Sequence, residues 1–169
     1  LMVASYYGYT NIIDLLIENG ADVNLQDDEG WTALMIATQN NHIEAIKLLI
    51  ANDADINLVR NSSYTALLDA VIDYYPDIAE LLINRGAELD HQDEEGWTAL
   101  MWAAQDGKTD IIEMLISAGA NLDIQEYEKL ETALLLAACW GNRDAVELLI
   151  DAGADPNIKD RMNNTALTW

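Results

Sequence analysis

Apolar and polar positions along this chain recur in blocks at a fixed interval. Leu15-Leu16-Ile17, Leu48-Leu49-Ile50, Leu81-Leu82-Ile83, Met114-Leu115-Ile116 and Leu148-Leu149-Ile150 each close a stretch whose apolar residues fall at helical spacing. A turn-like group follows every one: Gly20-Ala21-Asp22, Asp53-Ala54-Asp55, Gly86-Ala87-Glu88, Gly119-Ala120-Asn121 and Gly153-Ala154-Asp155. Thr-Ala-Leu, starting at Thr32, Thr65, Thr98, Thr132 and Thr165, keeps the same beat, with three steps of 33 residues and one of 34. Two independent landmarks at one period predict a single supersecondary unit stacked repeatedly, with its core running as a strip through the stack.

The unit that starts at Asp27 shows the anatomy. Asp27-Asp28-Glu29-Gly30-Trp31 reads as a turn, and Thr32 as the cap of a helix opening at Ala33. Alanine recurs inside that helix, at Ala4, Ala37, Ala70, Ala103 and Ala137, which predicts close helix packing. A break at Asn40-Asn41 leads to a second helix, from Ile43 to about Ala51, with Ala45, Ile46, Leu48, Leu49 and Ile50 apolar. The polar stretch Asp55-Ile56-Asn57-Leu58 completes a helix–turn–helix unit in an all-α chain.

The Thr-x-Leu-x-x-Ala start, the Leu-Leu run and the closing Gly-Ala-Asp-x-Asn resemble ankyrin repeats across essentially the whole chain. The resemblance implies one ankyrin-repeat solenoid over 1–169, with hairpin-like fingers. Complete repeats fall at 27–59, 60–92, 93–125 and 126–159, the last with a one-residue insertion, and partial repeats at 1–26 and 160–169. The family's Thr-Pro-Leu-His start is altered. Alanine replaces the proline, and Met35, Leu68, Met101, Leu135 and Thr168 replace the histidine, which exchanges a polar tie for mostly apolar packing.

Irregular positions predict local differences. Asp53 stands where glycine ends the other second helices, Asn61-Ser62-Ser63 replaces a glycine turn, and Pro76 suits the first turn of a second helix. The insertion before Thr132 predicts a longer, differently shaped finger. Both ends fall within a repeat, so Ala4, Ile12, Ile13 and Leu16 are expected to lack a stacking neighbour on one side. That predicts a segment of a longer chain or, alternatively, self-association through the uncapped ends.

Charge changes the picture of the partner. Thirty acidic residues against eight basic ones leave a net charge of −22, which disfavours nucleic acid and bare membrane and favours a basic or mixed protein surface. The alternative is that the acid serves only solubility. One cysteine, Cys139, allows no internal disulfide and fits a reducing, cytoplasmic setting. The longest apolar run, Ala133 to Trp140, is too short to span a bilayer.

No catalytic, metal or cofactor constellation emerges. His42 and Cys139 lie three repeats apart, on the order of 30 Å if the stack forms, and His91 has no partner at ligand spacing. The tips Asp27-Asp28-Glu29 and Asp93-Glu94-Glu95 lack a calcium-loop pattern. A non-enzyme is expected.

The resemblance directs attention to finger tips and the ends of first helices, the concave face. It selects Asp28, Glu29, Trp31, Gln39 and Asn40; then Asn61, Ser62, Tyr64, Ile72 and Asp73; then Glu94, Glu95, Trp97, Gln105 and Asp106. Trp140 beside Cys139, Tyr127 with Glu128, and Tyr6 with Tyr7 extend the series. Trp31, Tyr64 and Trp97 hold one repeat position, either as interface anchors or as rings covering the finger bases. Trp102 is expected to pack. The implied activity is protein binding. The alternatives are an inhibitor or immunity-type protein that blocks a basic toxin or nuclease, and the recognition segment of a larger effector or enzyme.

Overall fold

The structure, a computed structural model, describes residues 1–168; Trp169, the end of the partial repeat 160–169, lies outside them. Among the described residues there are ten helices and no strand, the all-α helix–turn–helix fold expected from the period. They pack as two compact units, one of residues 1–87 and one beginning at Glu88. The first holds α1 (Met2–Tyr6), α2 (Thr10–Glu18), α3 (Ala33–Gln39), α4 (Ile43–Ala51), α5 (Ala66–Ile72) and α6 (Pro76–Asn84). The second holds α7 (Ala99–Asp106), α8 (Thr109–Ala118), α9 (Ala133–Cys139) and α10 (Arg143–Asp151).

Each first helix starts because a threonine caps it. The hydroxyls of Thr32, Thr65, Thr98 and Thr132 accept the backbone N–H of Met35, Leu68, Met101 and Leu135 at 3.2–3.3 Å. Apolar residues in place of the family's histidine are buried beneath these caps. Within the first unit α3 packs between α1 and α5, and within the second α7 packs on α9. Ala37, Ala70, Ala103 and Ala137 are all fully buried at 0% exposure, which lets the helix backbones approach closely. The expected gap at the start is narrower than the repeat count suggests. Ala4 and Ile13 are buried and Leu16 is half-buried, while Val3, Ile12 and Leu15 carry the exposed apolar surface.

Glutamines tie neighbouring fingers together. Gln26 Nε2 donates to Gly30 O at 2.7 Å and to Val59 O at 2.9 Å. Gln92 donates likewise to Gly96 O and Gln125 O, and Gln125 to Leu130 O and Lys159 O. Four finger turns are organised by an acidic first residue. Asp27, Asp93 and Asp160 each accept two backbone N–H groups through Oδ1. In the longer finger Glu126 does this work, accepting from Glu128, Lys129 and Glu131. One added methylene matches one added residue. Leu130 takes the left-handed conformation there, at φ 60°.

Candidate protein interface

In the first unit, the finger of repeat 60–92 breaks the acidic rule and begins with Arg60. Its guanidinium lies over the Trp31 ring at 4.2 Å and the Tyr64 ring at 4.6 Å. Nη2 of the same group donates to Asp69 Oδ1 at 2.6 Å, and Nη1 to Ser62 Oγ at 2.9 Å. Trp31 and Tyr64 are therefore neither bare anchors nor simple covers; they clamp a cation supplied by the chain. Aligned aromatic positions do not point to Arg60. Its signal is a charge exchange: arginine where Asp27, Asp93 and Asp160 stand, and Asp69 where Ile36 and Trp102 stand.

Asp69 is 5% exposed. Burial raises its carboxyl to about 6 despite the hydrogen bond and charge of Arg60, and Asp73 adds to the rise. Its second oxygen, Oδ2, is buried without a hydrogen-bond partner.

Beside this clamp the first unit has a groove of about 460 Å³ lined by Met2, Val3, Tyr6, Tyr7, Asp27, Glu29, Trp31, Ile36 and Gln39. It gathers five residues selected from sequence: Tyr6, Tyr7, Glu29, Trp31 and Gln39. Tyr6 and Tyr7 meet edge to face at 5.0 Å and 83°, and Tyr7 stacks on Tyr9 at 5.4 Å. Asp28, Asn40, Asn61 and Asp73 lie outside the lining. Asn40 turns its amide back onto Ile36 O, Asn61 binds Asp28 O, and Asp28 and Asp73 are exposed.

In the second unit, partly buried Trp97 packs on Trp102 at 4.6 Å, and Trp102 Nε1 donates to Asp93 Oδ2 at 3.0 Å. Trp102 packs as expected. Glu94 and Glu95 are exposed. Asp106 is drawn to Lys108 at 2.7 Å, and the Gln105 carbonyl accepts from Asn142. Trp140, 63% exposed, stands at the end of α9 beside exposed Cys139. A cavity of about 450 Å³ is lined by Glu128, Lys129, Glu131, Cys139, Asp160, Arg161 and Met162, and its lining does not include Trp140. Burial raises the Glu131 carboxyl from its ordinary value, with Lys129 pulling the other way.

His42 has a structural role. Its Nε2 donates to Tyr6 O at 2.9 Å, which holds the end of α1. Asn142, at the same repeat position in the second unit, does the same for Ala104 O and Gln105 O. Among the described residues no group of three or more His, Cys, Asp or Glu is placed to hold a metal ion, and no helix is long and apolar enough to cross a membrane.

Capped helix pairs with interlocked fingers define a stacked helical-repeat protein. The model of the family described as ankyrin repeats (3 copies) matches residues 1–93 and 70–160, and the chain belongs to that family. Ankyrin repeats generally mediate protein–protein contacts. No curated protein matches the chain significantly.

Proposed function

We propose that the chain is a non-catalytic module that binds a basic or mixed protein surface through the acidic and aromatic side chains of its fingers and first-helix ends. The observation that carries this reading is Trp140, a large aromatic left 63% exposed at a helix end in a chain of net charge −22. Exposed aromatics of this kind serve as binding hot spots, and surplus carboxylates steer a basic partner. Glu29 in the first unit, and Glu94 and Glu95 in the second, supply carboxylates at the matching finger positions. Residues 1–169 are read as a single ankyrin-repeat domain. The single cysteine supports a cytoplasmic setting.

The test is capture of a natural partner, repeated with Trp140→Ala and with Glu94→Gln/Glu95→Gln. Loss of capture with the first and a slower association with the second are expected. Association should also slow as salt rises, because steering is screened beyond a Debye length of about 8 Å. Capture unchanged by both variants overturns the reading. The same charge supports a second reading, an inhibitor of a basic toxin or nuclease, which would be supported by loss of such an enzyme's activity on binding.

A further inference from the structure

We propose that the groove between α1 and the 27–31 finger receives the guanidinium of an arginine side chain carried by a protein partner. The proposal rests on the protein-binding reading above and names what one part of the surface recognises.

The lining has the chemistry of a cation site. Three aromatic residues, Tyr6, Tyr7 and Trp31, and two acidic ones, Asp27 and Glu29, are among those lining a space of about 460 Å³ that has no cationic residue in its lining. Aromatic faces attract cations through the ring quadrupole, and a neighbouring carboxylate adds charge. The volume falls within the range of small-ligand sites. Asp27 spends only Oδ1 on the finger turn. Among the described residues Glu29 forms no ion pair. Both therefore retain acceptor capacity for a donor.

The chain itself shows which cation suits such a setting. Next to the groove, Arg60 is held by Trp31, Tyr64 and Asp69, two rings and a carboxylate around one guanidinium. Arg60 does not line the groove whereas Trp31 does, so this one residue borders both the Arg60 clamp and the groove. A planar guanidinium stacks on rings while donating in a fork to carboxylate, a combination that a lysine ammonium lacks. The walls are set in advance, since His42 holds the Tyr6 carbonyl at 2.9 Å and Tyr7 is braced by Tyr6 and Tyr9. Less freedom is then lost on binding.

The experiment measures, by calorimetry and indole N–H NMR shifts, binding of acetyl-Gly-Arg-Gly-amide to the 169-residue chain, against the same peptide with citrulline or lysine. The arginine peptide should bind at millimolar concentration or better, and citrulline should bind about tenfold more weakly or worse. Lysine should fall between them. Tyr7→Ala and Glu29→Gln alter exposed side chains, so each should keep the far-UV circular dichroism while weakening the arginine peptide several-fold. No arginine binding, equal citrulline binding, or indifference to both variants overturns the proposal, and equal lysine binding overturns the guanidinium assignment. If the groove fails while partner capture still depends on Trp140, the protein-binding reading stands; if both fail, both fall.

Discussion

Arg60 Nη2 and Asp69 Oδ1 meet at 2.6 Å, with the same guanidinium lying over the Trp31 and Tyr64 rings. In the second unit the same two repeat positions hold Asp93 and Trp102, joined by an indole N–H to carboxylate bond at 3.0 Å. A polar link between the finger base and the first helix is thus made in both units, with donor and acceptor exchanged. The ionic version is the costlier one to bury.

That cost predicts a pH dependence. Asp69 is raised from 3.8 to about 6, chiefly by burial, with Arg60 opposing and Asp73 assisting. The folded chain therefore holds this proton more tightly than the unfolded chain. Its stabilising effect is fully present below pH 4 and is lost as pH rises through about 6. The Asp69→Asn variant lacks this titration, so its stability relative to the parent should rise between pH 4 and 6, by up to about 3 kcal/mol. Urea denaturation of both chains across that window measures it. A difference that is flat or falls with pH contradicts the assignment.

Buried hydroxyls give a second handle. Thr38 Oγ1 in α3 is fully buried and finds no partner, while Val71 fills the same repeat position in α5. Valine matches threonine in shape and removes a desolvated hydroxyl. Thr38→Val should raise stability by about 1 kcal/mol, seen as a higher urea midpoint at unchanged slope. A lower midpoint would mean that the hydroxyl is satisfied in solution.

Much of this fold was legible because a period speaks through many positions at once. The threonine caps, the alanine column and the Ile43–Ala51 helix all follow from aligning one repeat on the next. Aligned columns show where residues stand, but not what crosses between fingers. Arg60 reaches from its own finger to Trp31 in the previous one, and Gln26 reaches Val59. Such contacts depend on side-chain reach, which the period does not encode. The groove likewise needed the aromatic end of α1 and the next finger brought together in space.

Backbone strain offers a third test at non-glycine residues with positive φ. Asp53 (φ 62°) and Leu130 (φ 60°) occupy left-handed positions where other repeats use glycine. Asp53→Gly and Leu130→Gly should each stabilise, Leu130→Gly by about 1 kcal/mol and Asp53→Gly by less, since aspartate tolerates this region better. The reverse change marks the other extreme. Gly30 has φ +83°, and a Cβ there would sit 2.7 Å from the Arg60 Cα. Gly30→Ala should cost more than about 1 kcal/mol and loosen the Arg60 clamp. Thermal unfolding of the three variants settles the order, and a stabilising Gly30→Ala would refute the close approach.

His42 tests whether a shared repeat position means a shared job. Its ring donates to Tyr6 O, and Asn142 donates its amide to Ala104 O and Gln105 O, each closing the end of the preceding first helix. Asparagine is short, yet the Asn142 amide also lies against Gly107, the counterpart of Gly8, which lies against the His42 ring. The local backbone is therefore built for a donor at this spot. His42→Asn should keep stability within about 0.5 kcal/mol, whereas His42→Leu, which leaves the carbonyl without its donor, should lose about 1 kcal/mol or more. Because the Tyr6 carbonyl sets the groove wall, His42→Leu should also weaken the arginine peptide, and His42→Asn should not. Equal behaviour of the two variants in denaturation would reduce His42 to a packing residue.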